Sequence, residues 1–436
     1  MKETYLLYGN SKIKFQVPDS IDILELKDSP NIENIDKVIE KSLCNPIGTK
    51  SLSSLIKEKK PRTAAVTISD ITRAVPNPVF LPHLLRTLEK GGIQRKNIII
   101  VVGTGMHRQS TKSEHIHLVG AHIYKNYRVI DHIAGDGRNL TKVCEDPPVS
   151  VNSNFLRADF KIVTGFIEPH FMAGYSGGRK GVCPALVDLK TIQKFHGYET
   201  LSSPLAMEGI LEGNPCHETA LKVAKTADVD FLFNVALNRN LRISEIFCGD
   251  LEEAHICGCD YVSAQATCFI DHSYDLAVTC AGGFPLDINY YQSVKGMCMA
   301  LPALKQGGSL FQISECREGV GSKPFQDILH SYKNRWKDFL RDIEINKNIT
   351  KQDQWEFQML CRVLNITGTK HLYFFQEGRS LLEGGLLEGL IHCSPVLMGK
   401  SISETVGNFI HTYLKSHKQA QIAVIPTGPY TILRRR

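Results

Sequence analysis

The chain has 436 residues, enough for two or three domains around a sizeable core. Hydrophobic residues make up 42% and charged residues 22%, and a formal charge of +6 spread along the chain argues against a nucleic-acid surface while suiting small anionic substrates. No apolar run approaches the roughly 18 residues of a membrane span, the start lacks a signal-peptide h-region, and 13 scattered cysteines read as reduced thiols of a cytoplasmic protein.

In chain order, short apolar or β-branched runs predict strands at Ala64–Ile68, Ile98–Val102, Phe160–Val163, Phe231–Val235, Leu276–Thr279, Ser309–Ile313, His371–Phe375 and Ile422–Ile425. Amphipathic stretches lie between them. One spans Pro78–Glu89 and stops at Gly91-Gly92; another runs from about Tyr291 to Lys305 and stops at Gly307-Gly308. The alternation predicts an α/β protein of two lobes, with mainly parallel sheets flanked by helices. We expect the boundary near residue 270, giving an N-terminal domain of residues 1–270 and a C-terminal domain of residues 271–436, with a site in the cleft between them. The polar stretch Ser331–Lys351 reads as an exposed helix or loop, and the basic tip Arg434 to Arg436 as a solvated end.

Four polar clusters directly follow predicted strands: Ser69 to Arg73, Gly103 to His107, Thr164 to His170, and Cys280 to Gly283. Ligands in open α/β sheets bind at the carboxyl ends of strands, so Asp70, Arg73, His107 and His170 are expected on one rim. Arg73 offers a planar fork for a carboxylate or phosphate, or else a surface ion pair. Two histidines on one rim suggest acid/base groups serving opposite faces of a substrate, although single histidines are often structural.

The stretch Ala173 to Gly181, containing Ser176-Gly177-Gly178-Arg179-Lys180, is not a phosphate loop. Arg179 stands where the second glycine belongs and Gly181 replaces the Ser/Thr. Lys180 in such a loop could bond a cofactor covalently, or sit in a plain surface turn. His196 ends a predicted helix and reads as a cap or a metal ligand. Gln292 and Lys295, three apart, share a helix face that is either an anion site or simply exposed. Cys257-Gly258-Cys259 has no second pair nearby to complete a zinc site.

Taken together, Asp70-Ile71-Thr72-Arg73, Gly105 to Arg108, Glu168 to Phe171, Gly174 to Lys180, His196-Gly197 and Gln292 to Gly296 resemble the nickel-dependent lactate racemase family, in the same order over roughly residues 60 to 300. Trp355 resembles a tryptophan of that family's second domain. The resemblance implies a racemase or epimerase of a 2-hydroxy acid, lactate or a relative, working by reversible hydride transfer through a 2-keto acid. It implies a nickel-pincer nucleotide (nickel on a pyridinium-3,5-bisthiocarboxylate mononucleotide) tethered to Lys180, with His196 as nickel ligand. It further implies cofactor contacts from Asp70, Ile71, Thr72 and Arg73, proton transfer by His107 and His170, and substrate contacts from Arg73, Gln292, Lys295 and Trp355. Cofactor-synthesis enzymes would be maturation partners, and neither nucleic acid nor a membrane is expected. A metal-dependent hydrolase or lyase using the histidine pair, or an inactive cofactor-binding homologue, are the alternatives.

Overall fold

A computed structural model describes residues 1–145, 148–377, 392–396 and 399–436. All eight expected strands form, and they divide between two six-stranded sheets. The first runs Ile243–Gly249, Phe231–Leu237, Phe160–Ile167, Ala64–Ser69, Ile98–Gly103, Arg128–Asp131, parallel except at the first pair. Its central strand Phe160–Ile167 is buried at every position, as a parallel strand covered on both faces must be. The second runs Ser394–Pro395, Leu372–Phe375, Leu304–Ile313, Tyr274–Cys280, Ile422–Ile425, Asp22–Ile23, parallel throughout. The fold is therefore α/β with mainly parallel sheets flanked by helices. Among the described residues, no helix is long and apolar enough to cross a membrane.

The start of the chain packs with the second sheet, and two local expectations need correction. Asp22–Ile23 is an edge strand of the second sheet, and the hairpin of Lys2–Tyr8 and Ser11–Val17 buries Leu6, Phe15 and Val17 in the same cluster as Leu276, Val278 and Val424. The apolar face of the second sheet needs a cover, and the N-terminus supplies it. The helix expected from Tyr291 to Lys305 is Tyr290–Ala300, and the strand already begins at Leu304. The terminal arginines are not a free tip: Ile432–Arg435 pairs with Thr267–Ile270, and Arg434 bonds the buried Glu208 at 3.1 Å. The helix Asn77–Lys90 forms as expected, and Gly92 beyond it takes φ +95°. The 331–351 stretch contains the helix Trp336–Ile345, which buries Phe339 and Ile343 beneath a polar outer face.

Candidate functional site

The carboxyl ends of Ala64–Ser69, Ile98–Gly103 and Phe160–Ile167 open on one cavity. Asp70, Arg73, His107, His170, Lys180, His196, Gln292, Lys295 and Trp355 all line it. Ile71 and Thr72 do not. Ile71 packs against the core of the first sheet, and Thr72 instead donates its hydroxyl to Asp70 at 2.7 Å. The fourth cluster, Cys280 to Gly283, is also elsewhere: a Cβ at Gly283 would stand 3.0 Å from the Gly9 carbonyl oxygen in the N-terminal hairpin turn.

Each histidine is fixed in one tautomer by its other ring nitrogen. His107 Nδ1 donates to Asp70 Oδ2 at 2.6 Å, which leaves a lone pair on Nε2. Burial alone would raise the Asp70 carboxyl, but its interaction with His107, helped by Thr72 and Arg73, holds it below the ordinary carboxylate value. His196 caps the helix Leu189–Phe195 and donates Nδ1–H to the Ile192 carbonyl at 2.9 Å, again leaving the Nε2 lone pair. Burial lowers its pKa to about 3, so it is neutral, as a metal ligand must be. The cap and the ligand reading are thus compatible. Trp355 stacks on the His196 ring at 4.7 Å between centroids and donates Nε1–H to the Tyr291 hydroxyl at 2.7 Å.

His170 is set the opposite way. The backbone N–H groups of Met172 and Ala173 both donate to its Nδ1, each at 3.2 Å, so the ring proton sits on Nε2. That nitrogen lies 2.7 Å from Lys180 Nζ. Burial first, with the Arg73 and Lys295 charges adding to it, holds His170 well below its ordinary value.

The loop carrying Lys180 is tied at several points. Ser176 Oγ donates to the Phe166 carbonyl and accepts from Glu168 N–H. Gly178 N–H donates to Asn234 Oδ1 at 2.7 Å. Gly177 has φ +74°, and a Cβ there would stand 2.6 Å from Asn234 Oδ1, so only glycine fits. Arg179 is buried, donating to the Ala173 carbonyl at 2.6 Å.

The helices Tyr290–Ala300 and Gln354–Thr367 supply further lining. Asn289 caps the helix Tyr290–Ala300 by accepting from Gln292 N–H, and Lys295 donates to Gln292 Oε1 one turn on. Both side chains are buried rather than solvated. Arg73 Nη1 donates to Glu168 Oε1 at 2.5 Å, so its fork is partly engaged within the site.

Sequence reasoning did not single out Glu168, Tyr291, Asp353 or Glu356 as site residues. Glu168 was within reach, since it directly follows a strand. Glu356 required the tertiary structure. Burial pushes its carboxyl up to about 8, with the Lys295 charge opposing, and its Oε1 has no hydrogen-bond partner among the described residues.

The donor set can be tested against the expected cofactor. Among the described residues, no three His, Cys, Asp or Glu side chains are grouped to hold a metal. A metal here would take most of its donors from a bound group, and one neutral histidine beside an amine fits a cofactor that brings its own sulfur and carbon ligands.

Comparisons with known proteins follow the same line. A family model for the lactate racemase N-terminal domain matches residues 8–209, and one for the lactate racemase C-terminal domain matches residues 270–373. A lactate racemase of Thermoanaerobacterium thermosaccharolyticum is 35% identical over 364 residues, covering 82% of this chain and 84% of that protein. A lactate racemase of Lactiplantibacillus plantarum is 34% identical over 403 residues, 91% of each. The solved structure of the Thermoanaerobacterium lactate racemase apoprotein superposes with a TM-score of 0.87 at 31% identity, covering 99% of this chain and all of that one. A Thermotoga maritima protein at 16% identity and TM-score 0.70, covering 94% of this chain, shares the fold.

Proposed function

The chain belongs to the lactate racemase family, and from that premise we propose that it inverts C2 of lactate or a related 2-hydroxy acid. The carrying observation is one cavity that holds two histidines, the Lys180 amine and a neutral His196 with a free Nε2. A nickel-pincer nucleotide bound by Lys180 and His196 would supply reversible acceptance of the C2 hydride.

The chain's own residues do the rest. Arg73 and Lys295 place positive charge against the substrate carboxylate, and Gln292 orients Lys295. His107 takes the hydroxyl proton on Nε2 while Asp70 stabilises the imidazolium that forms. Loss of proton and hydride leaves a planar 2-keto acid, whose stereochemistry is erased. The same cations hold the keto acid's carboxylate while its acyl group turns about the C1–C2 bond to present the other face. His170 carries the hydroxyl proton for the opposite enantiomer. To do so, its Nδ1 must leave the Met172 and Ala173 amides, whose 3.2 Å contacts are at the long end for hydrogen bonds.

The test is production alongside cofactor-synthesis enzymes, followed by intact mass, nickel content and inversion of enantiopure 2-hydroxy acids. We expect a nucleotide-sized adduct that is absent in Lys180→Ala, together with nickel and inversion that retains the C2 hydrogen. Nickel-replete protein with neither adduct nor inversion would refute the proposal.

A further inference from the structure

The hydrogen-bond polarity around Lys180 determines its protonation state. Two backbone N–H donors converge on His170 Nδ1, so that nitrogen must present its lone pair. A neutral imidazole then carries its single proton on Nε2, which faces Lys180 Nζ at 2.7 Å. Two donors cannot share that contact. An ammonium has three protons and no lone pair, so it cannot accept; a neutral amine can. We infer that His170 holds Lys180 as an unprotonated, nucleophilic amine, which makes the cofactor-free protein a site poised to attack a thiocarboxylic-acid carbon, the C–N bond forming as the C–O bond breaks and water leaves. The inference rests on the proposed function only for the identity of that electrophile.

The surroundings agree. The charged and titratable groups facing Lys180 are Arg73, Arg179, Lys295, His170, His196, Glu168, Cys183 and Cys216. The carboxylate among them, Glu168, is already engaged by Arg73. Burial first, then the Arg73 and Arg179 charges, hold the amine well below the ordinary lysine value. The loop tied to Asn234 and Phe166 keeps the lysine from swinging out to water. His170 therefore has a positioning role before any substrate arrives, and that role ends when Nζ becomes an amide-type nitrogen.

The test uses full-length cofactor-free protein and trace acetic anhydride between pH 7 and 9, read by peptide mass. In the labelling step Nζ attacks an acetyl carbon, the C–O bond breaks, acetate leaves, and the surplus proton passes to water. Surface lysines, with pKa values near 10.4, should label about tenfold faster per pH unit. Lys180 should change less than about twofold over the same range. In His170→Gln the amide oxygen can accept from an ammonium, and the tenfold-per-unit slope should return. Should that variant not fold, 15N spectra of wild-type histidines give a second readout. They should place the His170 proton on Nε2, with the ring neutral from pH 6 to 8. A wild-type Lys180 that follows the surface slope or stays unlabelled up to pH 9, an unchanged slope in a folded His170→Gln, or a His170 proton on Nδ1 would each overturn the inference. Flat Lys180 labelling in a protein that never gains an adduct would leave this inference standing and remove the proposed function instead.

Discussion

Replacement of Asp70 by Asn probes the proton chemistry most directly. Asp70 Oδ2 accepts from His107 Nδ1 at 2.6 Å, and Thr72 fixes the carboxylate by donating at 2.7 Å. Asparagine is isosteric but loses the charge, and its NH2 group can face Nδ1 and impose the wrong tautomer. Two unit charges about 4 Å apart interact by about 4 kcal/mol at an effective dielectric of 20. His107 is 37% exposed, so screening reduces this to about 2–3 kcal/mol. The expected loss in kcat is about 30- to 160-fold, with KM nearly unchanged because the lost interaction strengthens only as the imidazolium forms. Initial rates should fall for both enantiomers, since inversion in either direction passes through both histidines. Adduct mass and nickel content should be unaffected. A loss below about threefold in fully loaded enzyme, or a loss confined to KM, would refute the assignment of Asp70 as the partner of a proton-carrying His107.

Lys295→Met removes one of the cations proposed to face the substrate carboxylate; a charge-assisted hydrogen bond of about 1.5–3 kcal/mol predicts a KM raised about 10- to 160-fold in steady-state assays. Trp355→Ala removes the ring stacked on His196, and nickel affinity measured by competition with a chelator should fall about 10- to 100-fold while the Lys180 adduct persists. Acid stability should follow His132, which is buried with Nε2 on the Val187 carbonyl and a pKa lowered by burial to about 4. Because that value is depressed, the unfolded chain binds the extra proton between pH 6.5 and 4, so stability falls as pH drops through that window. The share attributable to His132 is about 3 kcal/mol; burial depresses His196, His217 and His392 as well, so in His132→Asn the slope of the unfolding midpoint against pH should lessen by that share and not vanish.

Much was legible along the chain because its physical cause is local. Eight strands announced themselves as apolar runs, since a strand covered on both faces has no polar side to show. Glycine stops, and polar residues placed directly after strands, located Asp70, Arg73, His107 and His170 on one rim, because parallel strands all end at the same edge. The glycine-rich stretch Gly174 to Lys180 and the pair His196-Gly197 marked Lys180 and His196. What the sequence could not express was which partner each group meets. The pairing of His107 with Asp70, the burial of Gln292 and Lys295, and the stacking of Trp355 on His196 join residues tens to hundreds of positions apart. The same holds for the N-terminal hairpin, whose alternation gave no sign that it covers the second sheet. A histidine reads alike in sequence whether its ring is held by a carboxylate, a helix carbonyl or two backbone amides. Only the folded chain brings those partners into hydrogen-bond range, and they alone decide which nitrogen carries the proton and hence what each histidine can do.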